Sequence, residues 1–187
     1  MKRSATIDLY SPGIVVFDPA VLDRFLIDHA VTESDVFSRF LADETLGREA
    51  VAQGTVCPIY QIPEDEYSVF IENEEQGTDI APEFSHAGLP LRIESGLLVV
   101  ADLNALLDWD RAFFTDYRRR YAKKLASNDY LDAPNGLYSV TVNGYVGLQT
   151  PYADLAYGLV LHKVPALPGL ALEASVDDRS YVLSGAA

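Results

Sequence analysis

Asp110 is the residue whose setting in the sequence most suggests chemistry. On a helical repeat running from about Leu103 to Ala126, the side chains of Leu103, Leu106, Leu107, Phe113, Phe114, Tyr117, Tyr121 and Leu125 share one face, and Asp110 falls in the middle of it. An unpaired carboxylate there would be costly to bury. Asp110 is therefore expected to be buried with a partner, either as a general acid or base with a raised pKa or as a structural carboxylate bonded to a Tyr, an Arg or backbone N–H groups. His29 lies on the apolar face of an earlier helix, seven residues after Leu22. It reads as a base or ligand, or as a buried polar residue at the core edge bonded to backbone, and no second ligand stands near it at metal spacing. Cys57, the single cysteine, would form a nucleophile pair with His86 or His162, or serve as a small hydrophobe beside Pro58. The letters Asp108-Trp109-Asp110 match a metal-binding D-x-D, but on a helix those carboxylates point about 200° apart and cannot share an ion. No Gly-rich phosphate loop, G-x-S-x-G elbow, H-E-x-x-H or Cys/His cluster occurs, so the enzyme classes built on them are set aside and no metal or cofactor is expected.

Charge is the stronger signal. The chain has 187 residues and a formal net charge of −14. Residues 1–90 hold 17 acidic and 5 basic side chains, residues 91–187 hold 11 and 9, so the acidity belongs to the first half. Such a field repels phosphate backbones and attracts basic proteins or cations, which makes nucleic acid a poor partner. Eight acidic residues and no Lys or Arg lie between Glu64 and Glu83. Within that stretch Glu64, Asp65, Glu66, Glu72, Glu74 and Glu75 are candidate partner-binding residues on an electrostatic docking surface; the plainer reading is a solvated loop. Arg118, Arg119, Arg120, Lys123 and Lys124 cluster at the end of the long helix, too local for a nucleic-acid patch, and are expected to pair with the acidic first half.

The elements that must carry these residues show a repeat. IDLYSPGIVVFDPAVL over Ile7 to Leu22 is echoed by LRIESGLLVVADLNALL over Leu91 to Leu107, with Val15, Val16, Asp18 and Leu22 in register with Val99, Val100, Asp102 and Leu106. Each copy reads as strand, tight turn, apolar strand, and an Asp that opens a helix. Asp18-Pro19 is a strong helix start; Thr32 with Asp35 resembles a capping box; a third helix from about Asp43 should end at Gly54. Thr55 to Ile62 and Tyr67 to Ile71 are expected to form a hairpin, and Asn143-Gly144 is expected to turn a second one, since that pair suits a type I′ turn. Tyr157 to Val164 reads as a strand, Pro165 to Leu170 as a loop, and Leu172 to Ser184 as at most one short strand before a tail expected to fray. The fold class expected is α+β: two similar halves, 1–87 and 88–187, each strand-hairpin, helix and hairpin, forming one compact domain with a long central helix. With 49% hydrophobic residues the chain can bury a core of ordinary size. No run approaches the ~20 apolar residues that span a bilayer, and the opening MKRSATIDLY has no apolar stretch behind its two basic residues. With one cysteine as well, a cytoplasmic setting away from membranes is expected.

The order of these elements, with the short motifs VVFD, VVAD and GLYSV, resembles a loose class of uncharacterised bacterial domains, some of them immunity proteins beside secreted toxins. The resemblance implies a folded, non-enzymatic binder that occludes its partner, here a basic toxin; it carries over no functional residue. The reading is an intracellular protein-binding module of immunity type. The alternatives are a small enzyme using Asp110 with a His, and a structural or assembly protein, a homodimer using the Gly144 to Tyr152 hairpin.

Overall fold

The computed structural model describes residues 1–72, 80–170 and 179–186. The protein is α+β. In chain order its elements are β1 (Ser4–Asp8), β2 (Gly13–Phe17), α1 (Pro19–Asp28), α2 (Val36–Ala42), α3 (Glu44–Ala52), β3 (Cys57–Tyr60), β4 (Glu66–Glu72), β5 (Phe84–Ile93), β6 (Leu97–Asp102), three one-turn helices α4 (Asn104–Leu107), α5 (Arg111–Phe114) and α6 (Tyr117–Arg120), then β7 (Asn128–Asp132), β8 (Gly136–Val146) and β9 (Leu155–Val164). A five-stranded sheet has the order β1-β4-β9-β8-β5, and a four-stranded sheet the order β3-β2-β6-β7.

The apolar runs explain the layering. β2 and β6 are buried at every position. Ile14, Val16, Leu98 and Val100 face the five-stranded sheet, while Val15, Phe17, Val99 and Ala101 face the helices. The smaller sheet is thus the middle of three layers, and a strand covered on both faces needs a continuous apolar run rather than an alternating one.

Several local expectations change. Both strand–turn–strand units are corners, not hairpins, because β1 and β2 lie in different sheets, as do β5 and β6, and β3 and β4. β2 and β6 then pair antiparallel with Val16 opposite Val100, so the two VV segments meet face to face at corresponding residues. Asn143-Gly144 is not a turn: β8 runs through it, and the chain reverses over 147–154 before β9. Asn143 is buried, and a Cβ on Gly144 would collide with the Phe84 ring, so close packing uses the glycine instead. The residues expected to form a dimerising hairpin therefore begin inside the sheet. Asp35 alone caps α2, its carboxylate accepting from Ser38 N–H at 2.9 Å. Within the Leu172 to Ser184 stretch the described residues are anchored, with Tyr181 and Leu183 buried in the core between the sheets.

The long central helix is also absent. Asp108 and Asp110 have extended or irregular backbone angles (φ −132°, ψ 64° and φ −96°, ψ 94°), which divide the segment into separate turns. The aromatic spacing is satisfied anyway: Trp109 and Phe114 both meet Phe17 edge-on, and Tyr117 stacks on Phe114. Asp110 is consequently not buried as its apolar neighbours implied. It is exposed and caps α5, with Oδ1 accepting from Phe113 N–H at 2.9 Å.

Candidate loop-end docking site

Two buried carboxylates fix the ends of the middle sheet. Asp18 closes β2 and caps α1, accepting from Ala20 N–H at 2.8 Å. Its other oxygen accepts from Glu94 N–H (2.7 Å) and Ser95 N–H (2.6 Å), the corner between β5 and β6. Asp102 closes β6 and does the reciprocal work. It accepts from Asn104 N–H (2.7 Å) at the start of α4, and from Tyr10 N–H and Ser11 Oγ–H, both at 2.5 Å, in the corner between β1 and β2. A carboxylate can be buried where several donors replace its water, and each Asp here pins the opposite corner.

The corner held by Asp102 is the centre of an exposed loop end. On one flank, Leu9 N–H donates to the Asp65 carbonyl and Ile62 N–H to the Pro12 carbonyl, each at 2.9 Å. That brings Glu64, Asp65 and Glu66 alongside. On the other flank Asp8 N–H donates to the Ala126 carbonyl at 3.1 Å. Tyr10 is 62% exposed and Leu125 is 68% exposed, so two large apolar side chains face solvent here. Asp8 stands directly opposite Glu66 in the β1–β4 ladder. Continuing the parallel β4–β9 register by one residue sets Asp154 beside Glu66. Like charges directly opposite on a sheet are unfavourable. Among the described residues none of Asp8, Glu64, Asp65, Glu66 or Asp154 forms an ion pair, whereas Glu44, Asp43, Glu94, Asp23 and Asp132 all do.

The other candidates lie elsewhere. Glu72 is at the opposite end of β4, on the face of the five-stranded sheet that points away from the core between the sheets, half-buried and accepting from Asn143 Nδ2 and Tyr145 O–H at 2.8 Å each. It lies across Gly158, where a Cβ would come within 2.5 Å of its Oε2. Its carboxylate is satisfied within the sheet's outer face and is no part of the exposed loop end. Glu74 and Glu75 lie outside the described residues. His29 is at the core edge, stacked on Phe25, with Nδ1 2.9 Å from the Phe25 carbonyl oxygen and Nε2 3.5 Å from Glu49. Cys57 is buried and its thiol pushed up to about 12 by desolvation, which disfavours the thiolate a nucleophile needs. His86 Nε2 contacts the Ser180 carbonyl oxygen and His162 is exposed on β9. No group of three or more His, Cys, Asp or Glu among the described residues could hold a metal ion. No helix among them is long and apolar enough to cross a membrane. Among the described residues none of Arg118, Arg119, Arg120, Lys123 and Lys124 pairs with the acidic first half; Arg111, earlier in the chain, does so through Asp23 at 2.6 Å. Arg118 binds Asp132, Arg119 and Arg120 approach only Asp116, and Lys123 forms no ion pair among the described residues.

Sequence reasoning missed Asp8, Tyr10, Leu125 and Asp154. Asp8 was visible as the polar partner of Ile7 in an alternating strand, but nothing local places it opposite Glu66.

No family model matches the sequence, and no curated protein matches it. Among solved structures the fold is similar to that of ComJ from Bacillus subtilis, an inhibitor of the DNA degrading activity of NucA, with 10% sequence identity, a TM-score of 0.47, and coverage of 87% of this chain and 96% of that one. It is also similar to the protein described as crocagin biosynthetic gene J, at 12% identity and a TM-score of 0.46, covering 86% of this chain and 96% of that one. Likenesses this distant assign the chain neither a family nor a function.

Proposed function

We propose that the protein is a non-catalytic binding module of immunity type whose acidic loop end docks a basic protein. The observation that carries this reading is the coincidence, at one end, of carboxylates that form no ion pair among the described residues with exposed Tyr10 and Leu125. Exposed aromatic and aliphatic anchors supply contact area, and uncompensated charge supplies steering and orientation. Repulsion between Asp8 and Glu66 is relieved when a cationic surface arrives. An enzyme centred on Asp110 is disfavoured by its exposure and by its use as a helix cap.

The test places a photo-crosslinking amino acid at position 10 in cells that natively make the protein, with the same probe at position 162 as a control. The expected product is a covalent adduct between position 10 and a second protein of basic surface, absent from the control. Changing Glu64, Glu66 and Asp154 to Lys should abolish the adduct and, with the purified partner, slow association by about tenfold or more at low salt. An acidic partner, or an on-rate indifferent to the reversal, would overturn the reading.

A further inference from the structure

The loop end is charged with both signs. Strand β1 ends between two flanks: Glu64–Glu66 bonded through Leu9 on one side, and the 124–127 segment bonded through Asp8 on the other. The second flank is cationic. Lys123 is exposed, and Lys124 sits 5.6 Å over the Tyr121 ring. The order across the surface is therefore acid, apolar centre, base, with Tyr10 and Leu125 in the middle.

That order is self-complementary. A two-fold axis through the apolar centre turns one copy so that its acidic flank meets the other copy's cationic flank, twice, while Tyr10 and Leu125 pack on their counterparts. We infer that this face is the contact of a symmetric homodimer of the chain. The occupant follows from the charges: a basic partner can seat only on the acidic flank and the apolar centre, whereas a second copy also satisfies Lys123 and Lys124 on the other flank. The net charge of −14 opposes association at long range, but at physiological ionic strength repulsion is screened beyond about 8 Å while contacting pairs are not. The dimer would occupy the face that the partner proposed above also uses, so the two are alternative occupants, and the purified chain alone tests the dimer without that partner.

The test is sedimentation equilibrium of the purified protein from about 1 µM to 1 mM, the range in which a small interface is populated. One variant changes Glu64 and Glu66 to Lys; another changes Lys123 and Lys124 to Glu. All four positions lie outside the core, and circular dichroism melting of each variant checks the fold. Each variant alone should dimerise at least about tenfold more weakly than the wild type, since like charges then face each other. An equimolar mixture should form heterodimers, because the first variant presents mainly cations and the second mainly carboxylates. Wild type that stays monomeric throughout, a single variant that dimerises as well as wild type, or a mixture that remains monomeric would each overturn the inference.

Discussion

Replacing Asp102 by Ala removes one acceptor from three donors at once: the Tyr10 and Asn104 amides and the Ser11 hydroxyl. Hydrogen bonds to a charged group contribute about 1.5–3 kcal/mol each, and losses around one carboxylate overlap, so the expected cost is about 3–6 kcal/mol. Against a total stability of roughly 5–15 kcal/mol this is a large fraction. At about 2–4 °C per kcal/mol for a chain of this size, the melting midpoint should fall by about 6–24 °C. Asp18→Ala should cost a similar amount, because it frees the Glu94 and Ser95 amides as well as the α1 cap. In the β2–β6 register Asp102 pairs with Ile14, while Asp18 follows Phe17, which faces Val99. The two carboxylates are thus about four residues apart along the ladder, or about 13 Å, far enough for their effects to add. Asp102→Asn should fall between, since its new N–H₂ would face either the Tyr10 amide or the Ser11 and Asn104 donors. The assay is urea denaturation of the single and double variants, with hydrogen exchange at the Tyr10 amide as the local readout. A loss below about 1 kcal/mol for Asp102→Ala, or a Tyr10 amide as protected as in the wild type, would refute the role given to this residue.

Asp110→Ala should cost about 0.5–2 kcal/mol in the same assay, the worth of an exposed helix cap, and Asp110→Asn should recover most of it; a loss well above that would mean the residue is buried after all. The tyrosines predict alkaline unfolding. Desolvation is the largest cause pushing Tyr67, Tyr121 and Tyr181 each up to about 12, and it raises Tyr117 and Tyr157 further. Unfolded phenols release their protons near pH 10, so above that pH the native state holds more protons than the unfolded one. The stability they contribute is complete below about pH 10 and declines as pH rises through about 12. Phenolate absorbance should therefore show a group that ionises only together with loss of near-ultraviolet circular dichroism; reversible titration of every tyrosine near pH 10 with the fold intact would contradict it.

What the sequence conveyed depended on how far the deciding contact lay along the chain. Asp18-Pro19 signals α1 because the cap and the helix are neighbours, and the bonds to Ala20 and Val21 are there. The VVF and LLVV runs signal strands for the same reason. Which sheet each strand joins is set by contacts many residues away, so a corner between two sheets looked like a hairpin within one. Asn143-Gly144 shows the same limit from the other side. Its local preference for a turn is overruled by β5, which brings Phe84 against Gly144, and by Glu72, which bonds Asn143. Asp110 was misplaced because the spacing of Phe113, Phe114 and Tyr117 suits one continuous helix and also three short turns on a common sheet. Glu72 resembled its acidic neighbours in composition, while its place on β4 turned it over Gly158.

The same distinction separates carboxylates that build the fold from those left to interact. Asp18 and Asp102 are buried because backbone donors from a distant corner complete their solvation, and their charge is spent inside the molecule. Glu94, Asp23 and Asp132 are on the surface but neutralised by arginines. Among the described residues Asp8 and Glu66 have neither arrangement, although they face each other across a ladder next to the Thr6–Ser68 hydroxyl pair. The adjoining corner is held in place by Asp102, which accepts from Tyr10 N–H, and by the Asp65 carbonyl, which accepts from Leu9 N–H. The rigid support and the unneutralised charge therefore meet at one place, and it is there, rather than along the whole acidic first half, that an encounter with another protein would gain most from the field.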